Sequence, residues 1–412
     1  MSSDGARVGV DIGGTFTDLV TVTDGTLDVT KTSSTPDAPE VGVTEGLERT
    51  REATGIRFDD IGFFAHGTTV ATNAVLEGDW AETALVTTEG FRDVLEIGRQ
   101  ARPDIYDFQT EKPPTVVPRH RRYEVPERMD ERGEVSTPLD EAAVRDVAER
   151  LAAADVSSVA VSLLFAYEND AHERRVREIL ESKGVEASVS LSSDVLPEVR
   201  EYERTLTTAL NAALKPVMDR YLGNLEAEIA DLGIRPDLEI MQSNGGIITA
   251  DVARTRPVNT LLSGPAAGVQ GASYVAGLAG VEDLITMAMG GASCDVSLVE
   301  GGDPMVTTDV EVGEYPVNVP MIDVHTVGAG GGSIAWIDYG DALRLGPRSA
   351  GAEPGPICYG RGGARPAVTH AQPPFGRPHP VPLLSGALSG GLRRGGAFFW
   401  RGAARPPRGS AV

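Results

Sequence analysis

A Gly-Gly pair between two apolar stretches occurs twice in this chain, and the repeat limits the possible folds more than any other feature. The first copy is VGVDIGGTFTDLV at residues 8–20, and the second is ITMAMGGASCDVSLV at residues 285–299. The matched positions are Gly13 with Gly290, Gly14 with Gly291, and Asp18 with Asp295. The copies are too far apart for a solenoid. We therefore predict a duplicated domain with two facing β-hairpins.

Each hairpin carries residue types that can hold a polyphosphate. Glycines let backbone amides approach phosphate oxygens closely, because no Cβ stands in the way. The hydroxyls of Thr15 and Thr17 add donors in the first copy, and Ser293 adds one in the second. Asp11 and Asp18 offer carboxylates to Mg²⁺, which prefers carboxylate, water and phosphate oxygens. The two hairpins are therefore predicted to clamp phosphates from both sides.

A third Gly-rich segment, DVHTVGAGGGSIAWID, covers residues 323–338. Its candidate nucleotide-binding residues are Gly328, Gly330, Gly331 and Gly332. Glycines leave room for a ribose or a flat ring, so a turn beneath a nucleoside is predicted, with a flexible loop as the alternative. The sequence contains no G-x-x-x-x-G-K-[ST] motif, which excludes a P-loop protein.

His66 stands at a predicted strand end, before a turn that contains Thr68, Thr69 and Asn73. These side chains can contact a substrate or a phosphate, or they can form a local capping network for the next helix. Both interpretations are open from the sequence.

Two further pairs of residues stand at element ends. Asp323 and His325 alternate, so both side chains lie on one face of a strand, where they can bind a metal, transfer protons or form a structural pair. Ser263 and Gly264 begin a helix whose N-terminus can face an anion or can simply be capped.

Strands and helices alternate along most of the chain, which predicts an α/β architecture. A helix is predicted to end at Gly55, another to begin with Asn169 as N-cap, and a long one to be kinked or divided at Pro216. We predict a domain over 1–190 and a second, incomplete one over 191–370. The second is expected to be marginally stable alone, because its apolar faces stay uncovered.

Composition restricts the partners and the compartment. The net charge is −23, with 60 acidic and 37 basic residues, and such a surface disfavours nucleic acid and anionic membranes. The charge is typical of a halophile, although an ordinary acidic cytosolic protein is the alternative. Two cysteines, Cys294 and Cys358, make no disulfide framework, which favours a cytoplasmic protein. No run of 18 apolar residues and no signal peptide are present, so no membrane contact is expected.

The last acidic residue is Glu353, and the sequence from about Pro373 onward is rich in Pro, Gly, Arg and Ala. Such composition is typical of a basic disordered tail or of a reading-frame shift near residues 369–372. Under both explanations we expect 371–412 to be disordered.

Six segments together resemble the hydantoinase A / 5-oxoprolinase family over roughly residues 6–370. They are VGVDIGGTFTDLV, HGTTVATNAVLEG, TTEGFRDVLEIGRQ, LLSGPAAGV, MGGASCDVSLV and DVHTVGAGGGSIAWID. The resemblance implies the fold of the actin-like, sugar-kinase and heat-shock ATPase superfamily, with ATP and Mg²⁺ as cofactors. It also implies a cyclic amide substrate, such as an hydantoin or 5-oxoproline, that is phosphorylated on the amide oxygen and opened by water.

Related members activate ketones for carboxylation instead. Members of the family often work with a separate B-type subunit, so a hetero- or homo-oligomer is expected. On this basis Asp11, Asp18, Asp295 and His66 are the candidate catalytic residues. A non-catalytic nucleotide-binding assembly subunit is a third possibility.

The sequence departs from the family pattern in three respects. Ala288 stands where the second hairpin usually has Asp, which removes one candidate metal carboxylate, and Ala292 stands where Thr is usual. Family chains continue well past this one, and after Thr369 an Asp-Ala-Asn would be expected.

Overall fold

The computed structural model describes residues 5–13, 16–35, 38–101, 106–107, 109–291, 293–351, 355–357 and 362–371. The strands in this part of the chain are β1 (Ala6–Ile12), β2 (Phe16–Thr23), β3 (Thr26–Ser33), β4 (Ile61–Gly67), β5 (Thr83–Thr88), β6 (Arg122–Val125), β7 (Arg128–Met129), β8 (Val135–Thr137), β9 (Ser158–Ser162), β10 (Ser188–Leu191), β11 (Leu238–Met241), β12 (Ile247–Thr249), β13 (Leu284–Met289), β14 (Cys294–Glu300), β15 (Asp303–Pro304), β16 (Val306–Thr307), β17 (Val310–Val312), β18 (Tyr315–Val317), β19 (Met321–Ile322), β20 (Val324–Val327), β21 (Ser333–Ile337) and β22 (Leu343–Ser349). The helices are α1 (Pro39–Thr54), α2 (Val70–Glu77), α3 (Val94–Ile97), α4 (Glu141–Ala152), α5 (Ala171–Ser182), α6 (Ser192–Val195), α7 (Glu201–Asp231), α8 (Ala250–Thr255), α9 (Ser263–Leu278) and α10 (Val368–Ala371), with 3₁₀ turns at Phe58–Asp60, Arg119–Arg121 and Pro257–Thr260.

A mixed six-stranded sheet holds the first hairpin, in the order β12-β11-β4-β1-β2-β3. Strands β1, β2 and β3 form an antiparallel meander, and β4 pairs parallel to β1 on its other side. The turn between β2 and β3 is Asp24-Gly25, and both residues have positive φ, 51° and 76°, as a type I′ turn requires. This two-residue turn sets the register that places Lys31 opposite Asp18.

Helix α1 packs on the six-stranded sheet, and helix α7 joins the same core while it also packs against β9 and β10 of the second sheet. Helix α1 has Pro at its first position and ends at Gly55, whose φ of 75° is left-handed, so the predicted stop is confirmed. Helix α7 continues through Pro216 as one 31-residue element rather than dividing there. Proline removes the helical hydrogen bond that residue 216 would donate to the carbonyl of Ala212. The carbonyl of the next residue, Ala213, accepts the amide of Ala81 from outside the helix.

A separate parallel sheet is inserted between α2 and α7, with the strand order β10-β9-β5-β6. Strand β9 is buried along its whole length, as its continuous apolar pattern predicts. Helix α5 begins one residue later than predicted, after Asp170, and the Asn169 side chain still accepts the Ala171 amide. This layer has a core of its own around Val86, Val161 and Leu180.

The second hairpin, β13–β14, lies in a smaller antiparallel sheet in which β14 also pairs with β15 and β20. Its apolar cluster consists of Ala266, Val269, Val299 and Ile322. On the opposite face of β13, Ile285 is 72% exposed and Met287 is 70% exposed. The repeat equivalents of these two residues in β1 are Val8 and Val10, which are only 1% and 4% exposed. The two hairpins therefore have equivalent strands, but equivalent side chains are buried in the first hairpin and exposed in the second.

Strand pairing in the six-stranded sheet crosses residue 190, the predicted domain boundary. Strands β11 and β12 extend the six-stranded sheet from β4, and α7 contributes to the same core as β1. Parallel pairing brings together strands that are far apart in sequence, so residues on both sides of 190 belong to one unit. Helix α9 then leads from this unit to the second hairpin.

Within the described part of the chain, no helix combines the length and the apolar character needed to cross a membrane. Apart from residue 371, the segment predicted to be a disordered tail lies outside the described residues.

Candidate functional site

The first hairpin is held by two hydrogen bonds at its turn. The amide of Gly13 donates to the carbonyl of Phe16 at 2.9 Å, and the Ser34 hydroxyl donates to the carbonyl of Gly13 at 2.6 Å. Gly14 and Thr15, two of the predicted phosphate donors, lie outside the described residues. The turn itself is thus anchored from β1, β2 and the segment that follows β3.

Asp11 is the most unusual side chain at this hairpin. Its Oδ1 atom is buried and has no hydrogen-bond partner within the described protein. A Cβ at Gly67 or at Gly264 would lie 3.1 or 3.0 Å from Oδ1, so only glycine fits comfortably at both positions. Burial, followed by the neighbouring Asp18 carboxylate, raises the pKa of Asp11 to about 6, and Lys31 opposes this effect. A buried carboxylate with one oxygen lacking a hydrogen-bond partner therefore lies near the end of β1.

Asp18 faces Asp11 across the hairpin, but its environment is different. The Lys31 Nζ lies 2.5 Å from one Asp18 oxygen and 2.6 Å from the other. Both side chains are about one-third exposed, and Lys31 also lies over the Phe16 ring at 4.7 Å from its centroid. Both oxygens of Asp18 thus have a charged partner, whereas Oδ1 of the neighbouring Asp11 has none among the described residues.

The N-terminus of α9 meets the end of β4 next to Asp11. The Ser263 hydroxyl donates to the Thr68 carbonyl at 3.0 Å, and the Thr68 amide approaches it at 3.3 Å. Leu262, immediately before the helix, has a left-handed φ of 55°, and its amide donates to the Thr72 hydroxyl. Ser263 therefore connects the start of α9 to the end of β4 by hydrogen bonds, and Gly264 allows the start of the helix to lie close to the Asp11 carboxylate.

The predicted hydroxyl-rich turn makes local hydrogen bonds at the start of the following helix. The Thr68 hydroxyl accepts the Val70 amide at 3.1 Å, and the Asn73 side chain donates to the Thr69 hydroxyl at 3.4 Å. Thr68 is fully buried. These contacts are local, although Thr69 at the N-cap position bonds no backbone amide of the helix with its side chain.

His66 is fully buried in the first core. Its Nδ1–H donates to the Val10 carbonyl at 3.3 Å, so its Nε2 accepts the Tyr221 hydroxyl at 2.6 Å. Burial lowers the pKa of His66 to about 4, which keeps the ring neutral at physiological pH. In this position the residue links β1, β4 and α7, and contact with a substrate would require the core to open.

The second hairpin repeats the geometry of the first without its charge pattern. The Gly290 amide donates to the Ser293 carbonyl at 3.0 Å, as Gly13 does to Phe16. Ala288, however, stands opposite Asp295, where the first hairpin has two carboxylates. Asp295 accepts a hydrogen bond from the Thr326 hydroxyl at 2.8 Å. Ala292 lies outside the described residues.

The third Gly-rich segment packs directly on the second hairpin. The Gly331 amide donates to the Gly290 carbonyl at 2.9 Å, and the Gly332 amide donates to the Gly291 carbonyl at 2.6 Å. A Cβ on Gly331 would lie 2.6 Å from the Thr369 hydroxyl. Close backbone packing thus explains Gly331 and Gly332, whose amides are both used in hydrogen bonds to the second hairpin. Gly328 has open space around it, and Gly330 donates to the Ser333 hydroxyl.

Three other predicted site residues lie away from Asp11. Thr17 is fully buried, and its hydroxyl lies 3.2 Å from that of Ser34, on the core side of β2. Asp323 and His325 are exposed at β20. Among the described residues there is no group of three His, Cys, Asp or Glu side chains that could enclose a metal ion.

Sequence reasoning missed Lys31, Gly67, Ser34 and Tyr221. Lys31 was open to prediction, because the Asp24-Gly25 turn sets its register against Asp18. The other three come from distant segments, and nothing local in the sequence indicates their contacts.

Comparison with known proteins gives the family. Residues 7–184 match the model of the hydantoinase/oxoprolinase N-terminal region, and residues 204–390 match the hydantoinase/oxoprolinase model. The chain is 38% identical to caprolactamase subunit alpha of Pseudomonas jessenii, with 96% of this chain and 57% of that protein aligned. It is 34% identical to the acetophenone carboxylase gamma subunit of Aromatoleum aromaticum, covering 92% and 54%. With 5-oxoprolinase 1 of Arabidopsis thaliana the identity is 37%, covering 89% and 31%.

Two solved structures share the fold. The ATP-dependent caprolactamase of Pseudomonas jessenii matches with a TM-score of 0.82 at 38% identity, covering 93% of this chain and 56% of that one. The nucleotide-free acetone carboxylase structure matches with a TM-score of 0.79 at 29% identity, covering 95% and 57%. The predicted α/β fold class is confirmed, and the chain spans a little over half of each of these two structures. The chain belongs to the hydantoinase/oxoprolinase family.

Proposed function

We propose that this chain binds ATP with Mg²⁺ at the first hairpin and uses it to activate a cyclic amide for ring opening by water. The observation that carries the proposal is the repeated hairpin, with the same turn hydrogen bond in both copies and an unsatisfied carboxylate, Asp11, in the first. Support comes from relatives whose names specify an ATP-dependent caprolactamase and a 5-oxoprolinase.

The residues around Asp11 fit a hydrated cation bound to a polyphosphate. A buried carboxylate oxygen without a partner is costly unless something pairs with it, and a divalent cation does so. Magnesium keeps several waters and takes few carboxylates, which agrees with the absence of a larger acidic cluster among the described residues. Gly67 and Gly264 leave the approach to Asp11 free of side chains.

The protein's contribution to the reaction follows from these positions. When bound, ATP supplies a phosphoryl group to the amide oxygen, which makes the carbon open to attack by water. Asp11 would hold the cation, and Lys31 pairs with Asp18 beside it. The N-terminus of α9, a 16-residue helix next to Asp11, favours negative charge at this end of the sheet. We propose that His66 preserves the shape of the site from within the core rather than reacting.

A ketone carboxylase is the second candidate, because two of the relatives act in that chemistry by name. Both reactions can use one ATP site, so the difference lies in the substrate. A non-catalytic assembly subunit is the third candidate, and the observation that favours it is Ala288 opposite Asp295. We further propose a cytosolic location, since Cys294 is a free thiol, and a B-type partner subunit, since relatives are subunits of larger enzymes.

The test is ATP binding and ATP hydrolysis by the full chain in high salt, with and without a B-type subunit. The substrate panel contains 5-oxoproline, an hydantoin and caprolactam, against acetone and acetophenone with bicarbonate. We expect cyclic amides to stimulate hydrolysis and Asp11→Asn to abolish the stimulation. The control Asp79→Asn removes an exposed carboxylate and should behave as the native chain. Stimulation by ketones alone would favour the second candidate, and no nucleotide binding would refute the proposal.

A further inference from the structure

We propose that Lys31 is a positioning residue that reserves the Asp18 carboxylate for itself and so leaves Asp11 as the single carboxylate available to a divalent cation. The inference deepens the proposed function and rests on it, because the cation concerned is the one that accompanies the nucleotide. It assigns the two acidic residues of the first hairpin to different tasks.

The geometry separates the two carboxylates. Lys31 Nζ lies 2.5 and 2.6 Å from the two oxygens of Asp18, so each Asp18 oxygen has a charged partner. No such partner reaches Asp11 Oδ1, although Asp11 lies directly opposite Asp18 in the register of β1 and β2. The β2–β3 register holds Lys31 directly opposite Asp18, so the lysine is kept there by the sheet rather than by chance.

The second hairpin shows what the same backbone does without this arrangement. Thr326 occupies the place of Lys31, opposite Asp295, and bonds it with a neutral hydroxyl. Ala288 occupies the place of Asp11. A candidate cation ligand, Asp11, and a charge-balancing lysine therefore occur together at the first hairpin, and neither occurs at the equivalent positions of the second.

The balance of charge explains why a lysine is useful there. Asp11, Asp18 and Lys31 together carry a net charge of about −1 when ionised, which attracts a divalent cation but repels a polyphosphate only weakly. Without Lys31 the two carboxylates carry about −2. The hairpin should then hold a free divalent cation more tightly and a metal-free polyphosphate more weakly. A loss of folding would weaken both, so the two opposite changes identify the role.

The experiment uses Lys31→Met in the full chain and two separate probes at one ionic strength. Binding of Mn²⁺ without nucleotide is measured by electron paramagnetic resonance, and binding of ATP in EDTA is measured by calorimetry. We expect Mn²⁺ affinity at the site to rise about tenfold and ATP affinity to fall about tenfold, the scale of one unit charge near a protein surface. Lys183→Met is the control, because Lys183 is 38% exposed and also pairs with a carboxylate, Glu149. It should change neither constant by more than about twofold.

A double variant, Lys31→Met with Asp18→Asn, restores the net charge and should return both constants to near their native values. If Lys31→Met does not fold, the double variant and Lys31→Arg carry the test, and both should bind Mn²⁺ as the native chain does. A fall in both affinities for Lys31→Met, or a double variant that fails to recover, would overturn the inference. If the native chain binds Mn²⁺ at the hairpin but no ATP, the proposed function fails while the Mn²⁺ comparison still decides the role of Lys31.

Discussion

Replacing Asp11 by Asn should stabilise the nucleotide-free protein at neutral pH, although it removes the carboxylate on which the proposed activity depends. The structure buries Asp11 Oδ1 without a partner and sets Asp18 opposite it. Both features penalise the charged form. An uncharged side chain of the same shape avoids that penalty, so function and stability are expected to conflict at this residue.

The magnitude follows from the pKa of Asp11, which rises from 3.8 to about 6 in the folded protein. Because the folded pKa is the higher one, the folded state binds the proton more tightly, and stability falls as pH rises from about 4 through 6. At pH 7.5 the full penalty is about 3 kcal/mol, from about 1.4 kcal/mol for each pH unit. At pH 4.5 it is only about 1 kcal/mol. The advantage of Asp11→Asn should therefore be largest at high pH.

The assay is urea unfolding of the native chain and the variant at pH 4.5 and pH 7.5, in the same salt and without divalent cations. Asp79→Asn is the matched control, and it should not stabilise the chain, because it removes an exposed carboxylate away from Asp11. Adding Mg²⁺ and ATP should stabilise the native chain and leave Asp11→Asn unchanged. A variant that is less stable than the native chain at pH 7.5, or an advantage that does not grow with pH, would refute the reasoning.

Two further predictions use matched pairs of residues. Gly264→Ala places a Cβ 3.0 Å from Asp11 Oδ1 and should weaken Mg²⁺-dependent ATP binding, whereas Gly268→Ala in the same helix meets open space and should raise stability by about 0.5–1 kcal/mol; equal effects in calorimetry and urea unfolding would contradict this. Val10→Ala should cost about 2 kcal/mol, because Val10 is 4% exposed in the first core, while Met287→Ala at the equivalent, 70% exposed position of the second hairpin should change stability by less than about 0.5 kcal/mol. A large loss for Met287→Ala in the same unfolding assay would show that its face is covered in solution.

The contrast between the two hairpins also bears on the prediction that residues 191–370 are marginally stable alone. Around the second hairpin the described cluster contains four fully buried apolar side chains, and Ile285 and Met287 face outward. A small buried area gives little stabilisation, so limited proteolysis in high salt remains the informative measurement for this stretch.

The local sequence determined the two hairpins and their alignment. Alternating apolar residues define β1, β2, β13 and β14, and glycine pairs define their turns, because backbone preferences act over a few residues. The register of β3 against β2 follows from the Asp24-Gly25 turn in the same way. Asp11 and Asp18 could be predicted as site candidates because both lie in the first of these hairpins.

Only the tertiary structure decided which carboxylate is satisfied and which histidine is buried. Gly67 and Gly264 come to Asp11 from strand β4 and helix α9, and Tyr221 comes to His66 from helix α7, 155 residues later in the chain. Pairings over such distances depend on how sheets and helices pack, and no local pattern encodes them. The residue types could therefore be read from the sequence, whereas their charge states and partners are properties of the packed protein.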